Sequence, residues 1–154
     1  MRKAVLALTL TLVGAAAAGC KKDEPRLATP DNLLSGPKWQ LVSNSSLVNL
    51  PGFTPVDNYA SLPPCSKDDF LQFKAGNAYA YNEGPTKCAP SDPQEQLGLW
   101  FLGSFGTQLT VTTPDGLSTS YTIDQLTVSS LKMHSVEQNN GIDQTTSLGY
   151  TAVN

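Results

Sequence analysis

Only one of the 154 residues is a histidine, no serine sits in a Gly-x-Ser-x-Gly elbow, and no glycine-rich phosphate loop opens a helix. Acyl-transfer hydrolases and phosphate-loop enzymes therefore have no motif to rest on, and no enzyme activity is expected. Charge is scarce too, at 15% of residues. Beyond Lys21-Lys22 there is no basic cluster, and from residue 20 onward eight basic side chains face thirteen acidic ones, which argues against nucleic-acid binding. After the first segment no apolar run reaches the ~18 residues that a spanning helix needs. What the chain has in quantity is turn and strand chemistry: 11 Pro, 12 Gly, and 14 Ser plus 13 Thr after residue 19. Short strands and turns are expected rather than long helices.

The first twenty residues run Arg2-Lys3, an apolar stretch from Ala4 to Val13, then small residues up to Gly19 and Cys20. This order of positive, apolar and small residues is that of a secretory signal. Ala18-Gly19-Cys20 resembles a bacterial lipobox, with Ala17 where that box prefers leucine. The resemblance implies a lipoprotein signal peptide over 1–19 and a diacylglycerol and acyl chain on Cys20; two or three chains anchor durably where one does not. Lys21-Lys22-Asp23-Glu24-Pro25 looks like an export tag for the outer face of the outer membrane, or is a solvated tether. Residues 20–35 read as a lipid-anchored flexible tether, and 36–154 as the folded domain. The expected location is the bacterial outer membrane, lipid-anchored, on the periplasmic face or the cell surface.

Without Cys20, two cysteines are left, Cys65 and Cys88. In an oxidising compartment they are expected to form one disulfide, since neither has a Cys or His two to four residues away to make a zinc pair.

Apolar residues recur with period two: Trp39 and Leu41, Leu71 and Phe73, Tyr79 and Tyr81, Trp100 and Leu102, Leu109 and Val111, Tyr121 and Ile123, Leu131 and Met133. That is the half-buried strand pattern. Ala75-Gly76-Asn77, Pro114-Asp115-Gly116 and Asn139-Asn140-Gly141 supply hairpin turns, and a last strand is expected over Leu148 to Val153. The phase slips between Leu126/Val128 and Leu131/Met133, which predicts a turn near Asp124 to Ser129, with Leu126 plugging an end of the core. The strand Leu97 to Gly103 is apolar on both faces, so its second face needs a cover. The fold expected is all-β: a small up-and-down antiparallel barrel of about eight short strands, closed to leave no edge.

The order Gly36-x-x-Trp39-x-Leu41, Cys65-Ser66-Lys67-Asp68-Asp69-Phe70-Leu71-x-Phe73, Gly76-x-x-Tyr79 and Cys88, continued by Trp100-x-Leu102, Leu109-x-Val111, Tyr121-x-Ile123 and Leu131-x-Met133, resembles the lipocalin-like domain of small bacterial lipoproteins. It covers roughly residues 33 to 153 and departs in the long Pro-rich insertion between Trp39 and Cys65. It implies a lipocalin-like barrel with a small interior and a Cys65–Cys88 bond; the fold alone does not imply a ligand.

The function expected is a non-enzymatic, lipid-anchored envelope module for binding or interaction; the alternative is a carrier of a small apolar ligand inside the barrel. Partners are then the membrane through Cys20, and either an envelope protein or an apolar small molecule, with no cofactor. Contacts are expected from Leu50, Phe53, Val56 and Tyr59 in the insertion, which either recognises a partner or closes the barrel as a lid. Trp39 and Trp100 are expected at the interior, which large rings would fill rather than leave hollow. His134, out of phase with Met133, belongs outside. Asp68 and Asp69 could join Asp57 or Glu83 around a hard cation, but a solvated pair opening a strand is favoured. Asp92 and Glu95, formally an acid/base pair, are read as surface.

Overall fold

A computed structural model describes residues 28–153. The signal, Cys20 and the tether up to residue 27 lie outside the described residues.

Nine strands run in chain order: β1 (Lys38–Val48), β2 (Val56–Asp57), β3 (Phe70–Phe73), β4 (Ala78–Asn82), β5 (Glu95–Gly103), β6 (Gln108–Thr112), β7 (Ser118–Leu126), β8 (Ser130–Asn139) and β9 (Ile142–Val153). From β3 onward each strand pairs antiparallel with its successor, and β1 pairs with both β3 and β9. The eight strands other than β2 thus close into an all-β, antiparallel, up-and-down barrel, as the alternation predicts. Strand β2 is a two-residue addition on β1, with Ser45 opposite Asp57.

The turns behave as their residues require. Asn139 pairs with Ile142 across Asn140-Gly141, both at positive φ (52° and 79°), the two-residue hairpin in which asparagine and glycine are favoured. The turn expected from Asp124 starts later, because Asp124 to Leu126 still belong to β7, which carries a bulge between Ile123 and Gln125. The strand continues to Leu126, and the chain reverses over Thr127 to Ser129, where the Thr127 hydroxyl accepts from the Ser130 amide at 2.9 Å. Strand β9 starts six residues earlier than expected, because Ile142–Thr146 pair with β8 beyond the packed interior and show no apolar alternation.

The tether boundary also moves. Pro30–Ser35, expected as the end of a flexible segment, form a short helix α1. Thr29 caps it by accepting from the Asn32 amide, Pro30 stands in its first turn with Asp31 behind it, and its Leu34 is fully buried. Leu34 and the helix close one end of the barrel. The Trp39 indole donates to the Leu34 carbonyl at 2.8 Å, which fixes helix to strand and satisfies the one polar atom of a wholly buried ring.

The packed end of the barrel holds Leu34, Trp39, Phe73, Trp100, Leu109 and Leu131. Phe73 meets Trp100 edge-on, with centroids 5.7 Å apart. Gly98 points inward between them and the opening: a Cβ there would come within 2.1 Å of the Thr112 carbonyl oxygen, so the strands approach as they do because no side chain intervenes. Outward on the same strand stand Leu97, Leu99 and Phe101, each about 60% exposed, so among the described residues the expected cover over that face is not seen.

Candidate functional site

Two elements bring the insertion back to the barrel. A short helix α2 (Pro64–Lys67) carries Cys65, which is bonded to Cys88. The disulfide thus pins both long connections, as the cysteine count predicts. The Lys67 carbonyl, at the end of α2, accepts from the Gln40 side chain at 2.8 Å. Leu62 and Ser66 are thereby held over the end of the barrel opposite α1.

Beneath them is a cavity of about 230 Å³, lined by Trp39, Leu41, Leu62, Asp69, Leu71, Tyr81 and Tyr150 among others. A second cavity of about 210 Å³ adjoins it, between Tyr79, Val111, Tyr121 and Met133. The two share Leu71, Tyr81 and Tyr150 as a common wall. The interior is therefore filled at one end and hollow at the other, which corrects the expectation that aromatic rings would fill it. The large indoles sit low, and the upper rings are tyrosines, which stand along the wall with their hydroxyls.

Tyrosine phenols here are displaced upward in pKa. Tyr79 is pushed up to about 12, by burial first and by the nearby Tyr121 second. Burial also raises Tyr150, Tyr121 and Tyr81, the last further by its hydrogen bond to Asp69. A raised folded-state value means that this stabilisation is complete below the unfolded value of 10 and is lost as pH climbs through 12. For Tyr79 alone the difference is about 3 kcal/mol. We expect the fold to fail in that window. An absorbance titration of tyrosinate should rise late and steeply together with loss of circular dichroism, and should run back along an ordinary phenol curve only in denaturant. A gradual rise near pH 10 with the fold intact would contradict the buried placement.

Asp69 is the other titratable group on the wall. Expected as one of a solvated pair, it is instead 6% exposed and accepts a hydrogen bond from the Tyr81 hydroxyl. Successive residues of an extended chain point to opposite faces, and here Asp69 takes the inner one. Burial raises its pKa, opposed by the Tyr81 bond and reinforced by Glu83 and Asp68.

The predicted contact residues fall into two groups. Trp39 lines the first cavity, whereas Trp100 packs in the core and donates its indole N–H to the Lys74 carbonyl at 3.0 Å. Leu50, Phe53 and Val56 are exposed at 40%, 57% and 60%, and Tyr59 lies under the Lys67 ammonium. None of these four lines a cavity described here. Leu62, which the sequence reading passed over, is the insertion residue that does; a lone leucine before Pro63-Pro64 shows no periodicity by which to find it. His134 is on the outside, as expected, with Nδ1 2.9 Å from Asp124. Glu95 is held by Lys74 at 2.9 Å, far from acid/base use with Asp92.

No protein-family model matches the chain, and no curated protein matches it. Among solved structures, a complex of bovine odorant binding protein with a selenium-containing odorant aligns with 85% of this chain and 77% of that chain, at 13% identity and a TM-score of 0.43. What the bovine protein binds is a property of that protein.

Proposed function

We propose that the protein is a binding protein that holds a small, largely apolar molecule in the open end of its barrel. The observation that carries this reading is the pair of adjoining cavities walled by Leu71, Tyr81 and Tyr150. Mostly apolar walls with a few fixed polar groups are the usual make-up of small-molecule sites. The test is saturable binding of N-phenyl-1-naphthylamine followed by fluorescence. Leu62→Trp, which fills the entrance, should weaken binding about tenfold or more, an amount set by losing one well-packed apolar contact region. Val56→Ser, on the exposed strand β2, should leave it unchanged. Absence of saturable binding to the wild type would sink the proposal.

A second reading, an interaction module, is favoured by Leu50, Phe53 and Val56, which expose apolar side chains on the insertion. Replacing residues 50–55, which lie between β1 and β2, with a Gly-Ser linker together with Val56→Ser should then abolish capture of an envelope component while leaving melting nearly unchanged.

We further propose export and lipid anchoring through Cys20 at the outer membrane, supported by the Arg2-Lys3, apolar and Ala18-Gly19-Cys20 order. Radiolabelled palmitate should enter the wild type and not Cys20→Ala.

A further inference from the structure

The cavity wall carries an acid that the protein itself does not pair with a cation. Asp69 lines the cavity, is more than nine-tenths buried, and has one carboxylate oxygen on the Tyr81 hydroxyl and the other, Oδ1, buried without a partner. Asp68 Oδ1 is likewise buried and unpartnered, and Glu83 is buried close enough to act on Asp69. Among the described residues the ion pairs are Lys74–Glu95 and His134–Asp124, so none of these three acids has a cationic partner. The lysines nearest in sequence turn elsewhere: Lys67 lies 4.9 Å over the Tyr59 ring, Lys74 pairs with Glu95, and Lys87 donates to the Pro90 carbonyl. Acids left in this way within a low-dielectric interior favour a counter-charge brought from outside. Among the described residues no three metal-ligating side chains converge to hold an ion. Beside Asn44 and Ser66, the remaining walls are aromatic rings and leucines; the ring faces attract organic cations and the apolar area suits a hydrocarbon body.

We propose that the cavity selects a small organic cation, an amine on a short aromatic or apolar body, with Asp69 as its counter-ion. Asp69 fixes the ammonium end, Tyr81 orients the carboxylate through its hydroxyl, and Leu41, Leu62 and Leu71 receive the apolar end. The inference rests on the cavity being a binding site.

Calorimetric titration with phenethylamine and with 2-phenylethanol, matched in size and differing in charge, tests it. The wild type should bind the amine about tenfold or more tightly than the alcohol, as a charge-assisted hydrogen bond implies. Asp69→Asn, nearly identical in shape, should erase that preference and leave alcohol binding within about threefold, the loss being confined to the charged contact. Should that variant fold poorly, Glu83→Gln serves instead and should reduce the preference in part. Equal binding of both probes by the wild type overturns the cation selectivity and leaves the cavity reading standing. Binding of neither probe overturns the cation proposal, and if N-phenyl-1-naphthylamine also fails to bind, the cavity reading falls with it.

Discussion

Replacing Trp39 with alanine should cost about 3–5 kcal/mol, the range for removing a large buried aromatic, and more than any change at an exposed position. The ring is fully buried, and its N–H is the donor for the Leu34 carbonyl. Alanine therefore creates a void, joins it to the 230 Å³ cavity, and releases α1 from the strand that seats it. Trp39→Phe separates these effects, since it keeps most of the ring and removes only the donor; it should cost about 1–3 kcal/mol, the penalty for an unpartnered buried carbonyl. Denaturant titration of both variants supplies the check. A Trp39→Ala midpoint within about 1 kcal/mol of wild type would mean that α1 and Leu34 do not close the barrel as described, because large core losses of this kind have few ways to relax.

The second large effect concerns the disulfide. Cys65 and Cys88 close a loop of 23 positions, for which restriction of the unfolded chain is worth about 3 kcal/mol. For a domain of this size the paired substitution Cys65→Ala with Cys88→Ala should lower the melting temperature by about 10 °C. The bond also holds α2, and α2 holds Ser66 against the cavity, so the same variant should bind N-phenyl-1-naphthylamine more weakly than its lost stability alone accounts for. Wild-type protein kept in reductant should show the same two changes. An unchanged melting temperature in both experiments would show that the connections are held by other contacts.

Much of the barrel is legible in the sequence because its physical origin is local. Alternation of Leu109 with Val111, or of Leu131 with Met133, reports a strand with one buried face wherever the neighbouring strands lie. Asn140-Gly141 reports a tight hairpin through backbone preference alone. The site is less legible because it depends on what distant segments leave unfilled. A cavity has no residue of its own, and whether Tyr81 and Tyr150 meet across it follows from which strands become neighbours on closure. Asp69 illustrates the limit: Asp68 and Asp69 are the same residue type at adjacent positions, and only the strand's phase decides that Asp69 goes inside. Leu34 was hidden for a different reason. One apolar residue in a six-residue helix has no periodicity, although Thr29-Pro30-Asp31 is a start signal that could have located the helix.

The pairing of the first barrel strand with the last sets the order in which this chain can fold. Lys38 lies opposite Val153, and β1 and β9 are joined at ten positions from there to Val48 and Gln144. Every other barrel neighbour from β3 onward is a hairpin partner available at short range. The hairpins can therefore form early and in any order, while closure waits for the ends of the domain to meet, a long-loop step that slows folding. During synthesis that step cannot begin until the C-terminal strand has emerged. A chain lacking β9 would display β1 and β8 as open edges, with nothing to stop them pairing with another molecule.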